Sequence, residues 1–231
     1  MEPVTDLAGT VPVDVVLANL AVRRPVFHSE ADMQHAFAWE AHQLDPQLEV
    51  RLETHPEPNV RLDLLLSRPD LGRHTAVELK YLTALWAGTV AGEAFALKNH
   101  GAQDIRAYDV VKDIARLERF VEGRPGWNGL FLAITNDPMY WRPVTHGRAT
   151  NADAFRVYEG VTLTGERVWG PNTGAGTMKN RADPIALTGS YPLAWRDYAR
   201  VDGPRGQFRA LLLPVGLGGQ VDGRDASDPD R

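Results

Sequence analysis

The chain has 231 residues, 43% of them hydrophobic and 24% charged, with no cysteine and a formal net charge of -5. That composition describes an ordinary soluble globular chain able to bury a real core; it excludes a disulfide framework, a thiolate metal site and a nucleic-acid coat built on bulk positive charge. No apolar run is long enough to span a bilayer, and the opening "MEPVTDLAGT" holds two acids and no base, unlike a targeting peptide, so no membrane is expected and the expected compartment is cytoplasmic.

The predicted elements begin with a short helix in 11–23, where Val13, Val16, Leu17 and Leu20 recur at helical spacing. A stronger helix is expected over 28–44. Ser29 is its N-cap, Glu30 and Asp32 sit in the first turn where the helix dipole favours acids, and Met33, Phe37 and Leu44 mark the buried stripe with Ala36 and Trp39 beside it. Residues 47–55 set Leu48, Val50 and Leu52 against Glu49, Arg51 and Glu53, the alternation of a half-buried strand. "PEPN" (56–59) is turn material, "VRLDLLLS" (60–67) is a second strand, and "HTAVELKYL" (74–82) a third, with Ala76, Glu78 and Lys80 on one face. Three strands joined by short turns predict an antiparallel meander. No element is assigned to 83–100. An amphipathic helix follows over 102–123, closed by Gly123, and then a buried strand over 127–136.

Beyond residue 138 the pattern weakens. "FRVYEGVTLTGERVWG" and "PIALTGSYPLAW" are expected to form a hairpin around a Gly-rich loop, 206–215 a last strand covering a sheet edge, and 216–231 a disordered tail. The expected organisation is one domain over 1–215, with a C-terminal β extension at about 150–215 and no internal repeat.

Charge inside the second and third strands is the informative feature, because charged side chains are rarely buried unless paired or bound to a metal. Glu78 and Lys80 are two apart and share a face, and a short turn brings Asp63 beside them. Two carboxylates at that distance repel unless a proton or cation lies between them. Hard oxygen donors suit Mg²⁺, which can activate a water at a phosphate, while a neighbouring Lys orients that water or stabilises developing charge. The competing reading is an exposed cross-strand ion pair. The choice of cations adds weight: there are 21 Arg and four Lys, and Lys80, Lys98 and Lys112 fall within one short segment.

With an acid-bearing helix first, Asp63 in "RLDLLL", Glu78 and Lys80 in "AVELKY", and then a helix and a strand, residues 28–136 resemble the PD-(D/E)XK nuclease superfamily. The resemblance implies an α/β restriction-endonuclease-like αβββαβ core, a mixed central sheet flanked by helices, here with C-terminal β additions. It implies a metal-dependent nuclease acting on nucleic acid, with DNA the expected substrate and Mg, or Mn, the cofactor. Asp63 and Glu78 would be the metal ligands with the Leu79 carbonyl, Lys80 would position the attacking water, and Glu30 would bind metal or water from the helix. A helix-dipole acid is the alternative for Glu30. No Pro immediately precedes Asp63, a departure from the motif.

Lys98, Asn99, His100, Gln103 and Arg106 gather where the second long helix begins and are candidate phosphate contacts. Gln103 matches in type a helix residue of RecB-like nucleases; Tyr108 lies one residue off the expected step. Other motifs carry less. His28, His35 and His42 recur every seven residues, too far apart along a helix to share a metal; "GPNTGAGTMKN" lacks the ending of a phosphate loop; Tyr140 and Trp141 read as an aromatic plug rather than a base-stacking pair; and no Gly-x-Ser-x-Gly is present. Two further readings stay open: a binding or scaffold module that keeps the fold without the activity, and a hydrolase of small phosphate esters. A protein partner or homo-oligomer is compatible with each.

Overall fold

A computed structural model describes residues 6–57, 60–145 and 147–216. In chain order the elements are β1 (Asp6–Leu7), β2 (Val11–Pro12), α1 (Val13–Arg23), α2 (Glu30–Leu44), β3 (Glu49–Glu57), β4 (Val60–Arg68), β5 (Arg73–Leu82), β6 (Trp86–Val90) and β7 (Glu93–Leu97). They continue with α3 (Gln103–Val121), β8 (Trp127–Thr135), β9 (Thr162–Arg167), α4 (Ala175–Met178), β10 (Ile185–Pro192), β11 (Trp195–Arg200) and β12 (Gln207–Val215). The expected tail lies, from residue 217 on, outside the described residues, as do residues 58 and 59 of the expected turn. Among the described residues no helix is long and apolar enough to cross a membrane.

Six strands form one mixed sheet in the order β11-β12-β8-β5-β4-β3. The meander β3-β4-β5 is antiparallel as its short turns require, and β5 then pairs parallel with β8 through the α3 crossover. Successive side chains of a strand point to opposite faces, so each central strand supplies two cores. On one face Val77, Leu79, Tyr81, Leu130 and Leu132 pack against Val16 and Leu17 of α1 and Met33 and Phe37 of α2. On the other, Ala76, Phe131, Ala133 and Leu211 pack against Val111, Ile114 and Leu117 of α3 and the β9–β10 hairpin. The sheet is therefore flanked by helices on both sides, and Glu78 and Lys80 fall on the α3 side with Ala76.

The predicted N-cap holds: the Ser29 side chain accepts from the Asp32 amide. The buried arc of α2 differs from the expected one. Met33, Gln34, Phe37, Ala38, Glu40 and Ala41 are buried, whereas Trp39 is 65% exposed, because it stands about 200° around the helix from Phe37. Leu44, at the last helical position, is also exposed. β3 is less buried than its alternation suggests, Leu52 included, because it is the sheet edge with a neighbour on one side only.

Residues 83–100, left without an element by the sequence, contain the hairpin β6–β7, turning at Ala91 and Gly92, both with positive φ. The predicted C-terminal hairpin is β9 with β10, its Gly-rich loop carrying the short α4. β12 does not cover an edge. It lies between β8 and β11, and the edge is β11, whose alternation is broken by a register shift between Asp197 and Ala199. Tyr140 and Trp141 are buried, as an aromatic plug should be.

The β9–β10 hairpin is tied to α3 by one buried acid. Glu118 accepts from the Thr188 amide at 3.0 Å, the Gly189 amide at 2.7 Å and the Tyr191 hydroxyl at 2.8 Å. A Cβ at Gly189 would lie 2.6 Å from that hydroxyl, so any larger residue would have to displace the Tyr191 ring from Glu118. Replacing Glu118 with Ala leaves two amides without partners and should cost about 3 kcal/mol in urea unfolding. Limited proteolysis should then cut first within the 168–184 loop; an unchanged midpoint would show that the acid does not anchor the hairpin.

Candidate functional site

The site forms where β4 and β5 part. Their ladder ends at Leu64 opposite Val77. Leu64 packs into the α2-side core and Leu62 into the α3-side core, although residues two apart on a regular strand share a face. β4 therefore turns over at Asp63. The neighbouring strand bends at the same level: Glu53, between the pairs Leu52–Leu64 and Thr54–Leu62, takes a positive φ of 50°. Such local distortions re-aim side chains beside functional sites. Gln34, buried on α2, donates to the Asp63 carbonyl at 2.6 Å and to Glu53 Oε1 at 3.2 Å, fixing the bend from above.

Beyond the parting point β5 needs partners for its open-edge amides, since an unpaired buried amide is costly. Side chains supply them. The Leu79 amide donates to Asp63 Oδ2 at 2.7 Å, the Tyr81 amide to Glu30 Oε2 at 2.9 Å, and the Thr83 amide to His100 Nδ1 at 3.3 Å. Glu30 is thus more than a helix-dipole acid: from the first turn of α2 it reaches across to β5. Glu30 and Gln34 are one helical turn apart and so share the face that meets the split.

Glu78 is fully buried and is gripped by Arg116 of α3, whose Nε lies 3.0 Å from Oε1 and whose Nη2 contacts Oε2. Asp113, one turn before Arg116, bonds the same Nη2 at 2.9 Å and pairs with Lys80 Nζ at 2.7 Å. Lys80 also donates to the Leu79 carbonyl at 3.1 Å. A chain of alternating charge therefore runs Lys80, Asp113, Arg116, Glu78.

These groups line one cleft of about 730 Å³. Its floor holds Glu30, Asp63, Glu78, Lys80, Asp113 and Arg116; among the lining residues Arg61, Lys98, Arg106 and Lys112 are exposed cations. All three lysines singled out by their rarity line it. Of the predicted helix-start contacts, Lys98 and Arg106 face the cleft, whereas Asn99 is exposed outside it and Gln103 donates instead to Asp137 at 3.2 Å. Tyr108 is buried against Phe155 and Trp169. The three spaced histidines do not act together: His28 precedes the helix and bonds Glu93, His35 is exposed, and His42 contacts the Leu48 carbonyl.

The floor carries four carboxyl groups against two cations, so two negative charges are uncompensated when all are ionised. The proton equilibria reflect this. Burial, then Asp113 and Asp63, pushes the Glu78 carboxyl up to about 8 despite Arg116. Burial likewise raises Glu30, against the pull of Lys80. Burial opposes the charge on Lys80, yet Asp113, Glu30 and Asp63 outweigh it and hold the ammonium above its ordinary value. A hard divalent cation would relieve the crowding, and the donor chemistry suits one. Among the described residues, however, no three His, Cys, Asp or Glu side chains are arranged to hold a metal, as Glu78 faces Arg116 and Asp113 faces Lys80.

Gln34, Asp113 and Arg116 were not singled out from the sequence. Their signal was there: each is a polar residue in or beside the buried arc of an amphipathic helix. No protein-family model matches the chain, and neither the curated proteins nor the solved structures include a match.

The raised Glu78 sets a direction for pH dependence. Between 4.5 and about 8 the folded chain keeps a proton that the unfolded chain has lost, so the stabilisation present below 4.5 declines as pH rises through about 8. Urea midpoints should therefore fall from pH 5 to pH 8 without divalent ions, and Glu78→Gln should flatten that fall. The same slope in the variant would show that Glu78 is not the group responsible.

Proposed function

We propose that the chain is a metal-dependent nuclease of the PD-(D/E)XK, restriction-endonuclease-like type, hydrolysing phosphodiester bonds in nucleic acid, with DNA the first substrate to test. The observation that carries this reading is the meeting of Glu30, Asp63, Glu78 and Lys80, from α2, β4 and β5, on the floor of one cleft lined also by exposed cations. The helix–meander–helix–strand order, with β5 parallel to β8, agrees with the same reading.

In this reading Asp63 and Glu78 would hold the Mg²⁺ or Mn²⁺, with the carbonyl of Leu79, the residue after Glu78, as a third ligand. When bound, the ion polarises a phosphoryl oxygen and lowers the pKa of a water. The chain's own groups do the rest. Lys80 keeps its ammonium charged and, released from the Leu79 carbonyl, orients the attacking water or steadies charge on the phosphate. Glu30, held by the Tyr81 amide, presents its other oxygen to the cleft as an acceptor for water. Arg61, Lys98, Arg106 and Lys112 supply phosphate contacts, which position a polyanion without reading its sequence.

One observation favours a second reading, that of a binding module without activity: Arg116 and Lys80 already pair with Glu78 and Asp113 internally. Cleavage assays decide between them. With Mg²⁺ or Mn²⁺, the wild type should cut single- or double-stranded substrates, and Asp63→Ala and Lys80→Ala should each lower the rate by about a hundredfold or more. Equal cleavage by all three proteins would remove the assignment. Binding without cleavage by the wild type would favour the module.

A further inference from the structure

Arg116 stands where a cation is needed. Its guanidinium meets both oxygens of Glu78 and one of Asp113, and it cannot deprotonate, so a dication and this side chain cannot share Glu78 without strong repulsion. Glu78 is fully buried. The Arg116 side chain, by contrast, is 27% exposed to the cleft on a long flexible stem and can move. Asp113 would keep its contact with Lys80 after Arg116 left, so the Lys80 end of the charge chain survives the exchange.

We infer that Arg116 is a built-in surrogate cation that occupies the Glu78 carboxylate in the metal-free protein and must swing out before a divalent ion can bind, so that it sets the metal affinity of the site. The inference rests on the metal-dependent reading and adds regulation to it. Binding through a minor conformer weakens apparent affinity by the fraction of that conformer present. With Arg116 withdrawn in a tenth of molecules or fewer, its removal tightens binding by about tenfold or more.

The test is Mn²⁺ titration by calorimetry on the full chain, comparing wild type with Arg116→Gln, Arg116→Lys and Asp63→Asn. Arg116→Gln should bind Mn²⁺ about tenfold or more tighter than wild type, with a lower melting temperature in EDTA and a larger rise on adding Mn²⁺. Lysine keeps the charge but not the two-point grip, so Arg116→Lys should fall between them, and it carries the comparison if the glutamine variant does not fold. Asp63→Asn should bind weakly whatever stands at 116. Equal or weaker binding by the Arg116 variants, with wild type still binding, overturns the surrogate role and leaves the metal site standing. No binding by any folded protein overturns both.

Discussion

The structure depends on how β5 satisfies its amides once β4 turns away. A central strand that loses its neighbour must find other acceptors or expose its backbone, and here the acceptors are Asp63, Glu30 and His100. That requirement brings α2 and the segment after β7 to the same strip of β5. The cleft is a by-product of the parting: two strands diverge, and the side chains that cap the open edge line the gap. Bonding Asp63 Oδ2 to the Leu79 amide also fixes the acid relative to Glu78, one residue earlier on the same strand. The geometry of the floor is therefore a consequence of backbone hydrogen bonding rather than an addition to it.

Much of this was visible in the sequence because a strand has a period of two. Glu78 and Lys80 had to share a face, and a six-residue turn region had to place Asp63 near them. The Ser29 cap and the rarity of lysine likewise pointed to real features, the latter because Lys80, Lys98 and Lys112 converge. What was hidden was hidden for physical reasons. The β6–β7 hairpin turns through Ala91 and Gly92 at positive φ, where Asn-Gly or Asp-Gly would have announced the turn. β11 has a bulge that breaks its alternation. Asp113 is buried between Val111 and Ile114, so a search for the apolar stripe of α3 passes over it.

Electrostatically the cleft is layered. Acids crowd the floor, where burial strengthens every interaction, and exposed cations line the same cleft where water screens them, Lys98 and Lys112 beside Arg61 and Arg106, which pair with Glu53 and Asp109. A polyanion approaching the exposed cations meets attraction, while its phosphate entering the floor meets repulsion unless the excess negative charge has been neutralised. Approach and entry are governed by different charges. In such an arrangement, affinity for the chain and access to the floor are separable properties.

The parting of β4 and β5 also bears on how this chain can change over evolutionary time. Asp63 and Glu30 each cap an amide that no strand covers, and losing either leaves that amide without its acceptor. Selection for the fold alone would therefore keep both acids. Lys80 bonds no amide of β5, and Glu78 faces Arg116 alone. In a lineage of such chains, constancy at 30 and 63 would record only the persistence of a fold, whereas constancy at 78 and 80 would bear on the proposed activity.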